Sequence, residues 1–103
     1  YKAGTEEFYK HPYISKSAAE YLKNLGVKAV GVDMLNVDKT CIQGEQYTEN
    51  STAAHNIFLG NDILIVENLT NLEKLDTTVS TVMFLPLKIK DGDGSPVRAV
   101  AFV

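Results

Sequence analysis

Ala54-His55-Asn56-Ile57-Phe58-Leu59-Gly60-Asn61-Asp62-Ile63-Leu64-Ile65-Val66-Glu67-Asn68-Leu69 is the stretch on which the reading of the chain turns. It predicts a short helix carrying a histidine, a tight turn at Gly60-Asn61-Asp62, and a strand from Ile63 to Val66 that ends on a carboxylate. Consecutive aliphatic residues point to a strand inside a sheet covered on both faces. Glu67 is then the odd residue. A carboxylate leaving a buried strand costs on the order of several kcal/mol unless a cation, a hydrogen-bond network or water receives it. If the helix packs back on the strand, the side chains of His55 and Glu67 converge on one point, which is the candidate site.

Upstream, Thr5 to Lys10 reads as one helical turn with Thr5 as cap, stopped by Pro12. Ser15 reads as the N-cap of an amphipathic helix over Lys16 to Leu25. Ala18, Tyr21, Leu22 and Leu25 form its apolar stripe, and Gly26 stands at the C-cap. Val27 to Asp33 follows as a strand, completing an α/β unit. Asp33 ends it as Glu67 ends the later strand. Two acids at strand ends suggest a shared ligand edge, while the competing reading makes Asp33 only a turn former. Met34 to Glu49 is a polar, aperiodic loop long enough to be functional or mobile. Ser51 or Thr52 is expected to cap the helix of His55.

Downstream, Thr70 or Asn71 caps a short helix through Leu75. Thr78 to Leu87 reads as a strand that Pro86 ends or places at an edge. Asp91-Gly92-Asp93-Gly94-Ser95-Pro96 is a dense turn, which makes Val97 to Val103 the antiparallel partner of that strand.

The 103 residues suffice for one domain or part of one. A hydrophobic share of 45% and a charged share of 22% are those of a globular chain, and a net charge of -3 without a basic patch disfavours nucleic acid. No apolar run is long enough to span a membrane, and no secretory leader pattern opens the chain. Cys41 is the single cysteine, which excludes an internal disulfide and a cysteine-only metal site and fits a reducing compartment such as the cytoplasm.

Little else offers chemistry. There is no G-x-S-x-G nucleophile turn, and the acidic neighbours of Gly92 and Gly94 would repel phosphate. His11, before a proline in a turn, reads as structural. His55 and Glu67 suit a divalent cation, but a lone histidine–glutamate pair is weak evidence, since zinc normally takes at least three protein ligands.

Several stretches together resemble the cyclase family of metal-dependent hydrolases, of the kynurenine formamidase and isatin hydrolase kind. They are His11-Pro12-Tyr13-Ile14-Ser15, Ala18-Ala19-Glu20-Tyr21-Leu22, Gly26-Val27-Lys28-Ala29-Val30-Gly31-Val32-Asp33, His55 with Leu59, Ile63 through Leu69, Leu85-Pro86-Leu87-Lys88, and Asp91 through Ala99. The resemblance implies an α/β fold, a swivelling β/β/α-type domain with a mixed sheet, of which residues 1–103 are a C-terminal portion. It implies one or two divalent metals, zinc or manganese, with His55 and Glu67 as ligands of the second. It also implies hydrolysis of an amide-type C–N bond by metal-activated water. The family's H-x-G-T-H-x-D-x-P-x-H motif, with its acid–base histidine, is absent from this sequence. The catalytic residues are therefore expected in a missing N-terminal half or a companion chain. A small-molecule substrate and a homo-oligomer are expected, and this chain alone is not expected to be competent. The alternative is a non-catalytic α/β binding or assembly domain of that lineage, in which His55 and Glu67 only bond each other.

Overall fold

Local capping sets the first helix boundaries in the computed structural model, which describes residues 4–76 and 78–103. Thr5 stands at the N-cap of α1 (Glu6–Tyr9) but its side chain makes no capping bond there, against expectation; the single turn is closed by a Glu6–Lys10 ion pair at 2.7 Å. The Ser15 hydroxyl accepts from the Ala18 N–H at 3.2 Å and starts α2 (Lys16–Asn24). Gly26 follows at a φ of 76°, the left-handed conformation glycine adopts without steric cost.

β1 (Ala29–Gly31) pairs in parallel with β2 (Leu64–Val66), in the register Ala29↔Leu64, Val30↔Ile65 and Gly31↔Val66. The connection runs through a long loop, a 3₁₀ turn at Glu49–Thr52 and α3 (Ala53–Leu59). Parallel strands require such a crossover. The pairing extends past the strands. Val32 N–H donates to the Val66 carbonyl at 2.9 Å, Leu69 N–H to the Val32 carbonyl at 2.9 Å, and Asn68 N–H to the Met34 carbonyl at 3.0 Å. The segments leaving β1 and β2 therefore stay side by side at one sheet edge.

Ala19, Val32, Val37, Ala54, Phe58 and Ile63 form the core, with Leu22, Val30 and Ile65 against its rim. Ala19 and Ala54, both fully buried, let α2 and α3 approach closely over Phe58. Two expectations change here. Of the stripe Ala18, Tyr21, Leu22 and Leu25, only Leu22 reaches the core; Tyr21 and Leu25 are 64% and 60% exposed. The contact face of α2 runs through Ala19 instead, because a small residue permits the close helix crossing. The second strand is covered on its inner face, and on its other face only at Val66, which is buried while Leu64 is not. Ile63 and Ile65 point inward, and Leu64 is 65% exposed. Both strands are also shorter than the sequence suggests, since regular pairing ends where the chains begin to turn toward the loops.

This first compact unit ends at Thr70, and a second runs from Asn71 to Val103. The second opens with Asn71 at a φ of 61° and a 3₁₀ turn at Leu72–Lys74. It then forms an antiparallel hairpin of β3 (Thr81–Pro86) and β4 (Val97–Phe102), registered from Thr81↔Phe102 to Pro86↔Val97. Pro86, lacking an N–H, closes β3. Across the connecting loop Leu87 N–H donates to Ser95 Oγ at 2.8 Å. The register puts Val82, Phe84, Ala99 and Ala101 on one face and Met83, Leu85, Val100 and Phe102 on the other. The protein is thus α/β, with parallel and antiparallel pairing in two two-stranded sheets among the described residues. Among the described residues no helix is long and apolar enough to cross a membrane.

Phe58→Ala should lower the unfolding free energy by about 3–5 kcal/mol, the cost of emptying a buried aromatic site. Leu25→Ala should change it by no more than about 0.5 kcal/mol, as exposed positions do. Urea denaturation followed by circular dichroism checks both; equal losses would place the core elsewhere.

Candidate metal centre

α3 is seven residues long, too short to persist in water on its own, and its first turn contains no acid. Thr52 stands at its N-cap, yet the Thr52 side chain makes no capping bond. The cap comes from a distant residue. Asp38 Oδ1 accepts from Ala54 N–H at 2.7 Å, and Asp38 Oδ2 accepts from His55 N–H at 2.9 Å. The same Oδ2 lies 2.8 Å from His55 Nδ1. Asp38 is 3% exposed, so these bonds replace its hydration. Its own N–H donates to Asn36 Oδ1 at 2.8 Å, which tightens the turn that delivers it. The expectation that Ser51 or Thr52 caps this helix is corrected. The Ser51 side chain instead pairs with the Thr48 backbone N–H at 2.9 Å in the preceding 3₁₀ turn.

Glu67 follows β2 directly. Its Oε1 accepts from Val37 N–H at 3.2 Å and lies 3.7 Å from His55 Nε2. The helix and strand therefore bring together the two side chains that the sequence singles out. Residues 36–38 sit behind both, holding Glu67 through Val37 and His55 through Asp38. The side chains of His55 and Glu67 are 32% and 30% exposed, so both are only partly withdrawn from solvent.

The donor pair fits part of a divalent-metal site. An imidazole nitrogen and a carboxylate oxygen, each about 2.0–2.2 Å from one zinc ion at a tetrahedral angle, stand about 3.4 Å apart. The observed 3.7 Å is near that and beyond hydrogen-bond length. Among the described residues no group of three or more histidine, cysteine, aspartate or glutamate side chains is placed to hold a metal. His55 and Glu67 by themselves fall short of the three protein ligands that a zinc site normally takes.

Asp33 lies beyond the end of β1 and is exposed; Asp38, not Asp33, is the acid from the first strand's loop that meets His55. His11 is buried, with Nε2 2.8 Å from Thr40 Oγ1 and Nδ1 2.5 Å from the Pro12 carbonyl. Cys41 lies 3.7 Å from Ser51 Oγ. An open cleft of about 430 Å³ is lined by Tyr13, Lys16, Asp38, Cys41 and Ser51 among others. Neither His55 nor Glu67 lines it, so it touches the site only through Asp38. On its rim Lys39 binds Glu45 at 2.6 Å, and that hydrogen bond holds the Glu45 carboxyl below the ordinary carboxylate range. Sequence reasoning passed over Asp38. Its signals were an apolar Val37 inside a polar loop, and a helix start without an acid of its own.

Comparison with known proteins adds to this geometry. Residues 1–39 match the family described as Putative cyclase. The chain is 33% identical over 81 residues to the kynurenine formamidase of Bordetella avium (strain 197N), covering 79% of this chain and 35% of that protein. It is 33% identical over 89 residues to the kynurenine formamidase of Bacillus anthracis, covering 86% of this chain and 39% of that one. The chain thus spans well under half the length of the curated relatives it matches. A solved structure of a potential metal-dependent hydrolase with cyclase activity superposes with a TM-score of 0.63 at 23% identity, covering 86% of this chain and 40% of that one. That likeness establishes the shared fold.

Removing the tertiary cap should cost more than removing the sequence-local one. Asp38→Ala should lower the unfolding free energy by about 1–3 kcal/mol, the penalty for stranding buried donors. Thr52→Ala should lower it by no more than about 0.5 kcal/mol. Urea titration of both variants decides, and a larger loss for Thr52→Ala would show that Asp38 does not cap α3.

Proposed function

This chain is a homologue of the cyclase family over part of its members' length, and from that premise we propose that it supplies His55 and Glu67 to the divalent-metal centre, zinc or manganese, of a hydrolase cleaving an amide-type C–N bond. The observation that carries this reading is the 3.7 Å approach of His55 Nε2 to Glu67 Oε1 at the carboxyl edge of a parallel strand pair. Ligands collect at such edges because successive loops diverge there and leave a crevice.

The chain's own residues have defined tasks. His55 presents an imidazole nitrogen and Glu67 a carboxylate oxygen, a mixed donor set that suits zinc or manganese. Val37 N–H holds the Glu67 oxygen in place, and Asp38 holds the histidine. Both side chains are partly exposed, so water reaches this edge of the sheet. When bound, a divalent ion supplies Lewis-acid activation of water and of an amide carbonyl.

The relatives named kynurenine formamidase suggest an N-formyl aromatic amine as the substrate. The remaining metal donors and the acid–base group are assigned to residues outside this chain, on a preceding segment or a companion chain. The working form is read as a cytoplasmic homo-oligomer.

His55→Ala and Glu67→Gln, made in the complete protein, should each weaken zinc or manganese binding by more than about 100-fold, since loss of a direct ligand exceeds the 10–100-fold loss for an outer partner. Elemental analysis after equilibrium dialysis measures this; unchanged stoichiometry in both variants removes the ligand assignment. Hydrolysis of N-formylkynurenine by the complete protein should depend on added zinc or manganese. Absence of metal-dependent turnover rules out that substrate. Native mass spectrometry distinguishes the alternatives at the level of assembly: companion mass with bound divalent ions accords with the hydrolase, and a metal-free assembly of this chain alone with a binding domain.

A further inference from the structure

We propose that Asp38 is a positioning residue that fixes the His55 proton on Nδ1, so that the Nε2 lone pair is presented toward Glu67. Asp38 is 3% exposed, and its two oxygens meet three nitrogens: Ala54 N at 2.7 Å, His55 N at 2.9 Å and His55 Nδ1 at 2.8 Å. An ionised carboxylate accepts and cannot donate. The ring nitrogen at 2.8 Å must then carry the proton, because an unprotonated Nδ1 would set one lone pair against another in a buried place.

The carboxylate cannot turn away to relieve such a conflict. Oδ1 is held by the first turn of α3, and Oδ2 is held by the backbone of the same residue whose ring it orients. The ring cannot flip without losing that bond. With the proton on Nδ1, Nε2 is an acceptor or a metal donor, and it faces Glu67 Oε1 at 3.7 Å. Two acceptors at that spacing do not attract each other, and the space between them suits an electrophile, either a second ring proton or a metal ion. The neighbouring residue Val37, fully buried, holds Glu67 through its N–H at 3.2 Å, so one rigid turn sets both donors. The consequence for metal affinity rests on the functional reading above; the placement of the proton does not.

The test is long-range ¹H–¹⁵N correlation spectroscopy of the complete protein, ¹⁵N-labelled and metal-free at about pH 8.5, where a free imidazole is neutral. The His55 signals are assigned by their loss in His55→Gln. The expected result is an Nδ1–H ring. In Asp38→Ala no acceptor remains opposite His55 Nδ1. The ring should convert to the Nε2–H form, and zinc affinity, measured by competition with a chromophoric chelator, should fall about 10–100-fold. Circular dichroism checks that the helices survive. An Nε2–H ring in the unsubstituted protein overturns the assignment without recourse to any variant, and an unchanged tautomer in a folded Asp38→Ala protein overturns it as well. An Nδ1–H ring in a protein that binds no zinc supports the assignment and overturns the metal reading instead.

Discussion

The carboxylate of Asp38, buried against the N-terminus of α3, is the interaction on which the first unit depends. A seven-residue helix has too few internal bonds to offset its nucleation cost, so it must be held by contacts from elsewhere. Packing of Ala54 and Phe58 supplies part of this. Asp38 supplies the rest at the one end where amide groups lack intrahelical partners and the helix dipole is positive. An isolated carboxylate would not be tolerated there, but this one accepts from two backbone N–H groups and lies within hydrogen-bond distance of an imidazole nitrogen, which replaces most of its hydration. The loop between β1 and α3 is anchored by the same bonds.

The anchor and the candidate centre are mechanically one object. Asn36, Val37 and Asp38 form a turn whose backbone and side chains reach in three directions: to Glu67 after β2, to His55 in α3, and to Ile14 before α2, whose N–H donates to the Val37 carbonyl at 2.7 Å. Val37 fills the core beneath it. A change at this turn would therefore move both donors together rather than one at a time. Such coupling would serve the proposed metal centre, because metal coordination tolerates errors of only a few tenths of an ångström.

The second unit follows a different logic. None of its described residues is buried, although both faces of the hairpin are largely apolar. The antiparallel register is set locally, by the turn and by Pro86 at the strand end. A two-stranded hairpin draws little stability from its own contacts, so its apolar faces are surplus to what the hairpin itself can satisfy. Leu64, exposed at the start of β2, is a smaller instance of the same surplus.

The sequence by itself determined the elements and their order: the Ser15 cap and Gly26 stop of α2, the α/β alternation, the Pro86 boundary and the antiparallel hairpin. These depend on residues within a few positions of one another, through capping, periodicity and turn geometry. It also determined that His55 and Glu67 share a place, because a buried strand ending on a carboxylate demands a partner and the adjacent helix offers one. What it could not determine is anything that depends on which faces meet. The packed side of α2 runs through Ala19 rather than the larger Tyr21 and Leu25, since close approach to α3 favoured a small residue. Only the tertiary structure decided that Asp38, seventeen residues before His55 and hidden in a polar loop, caps the helix and holds the ring. That contact is made by the crossover folding back on the sheet edge, and a bond between distant residues leaves no periodicity to read.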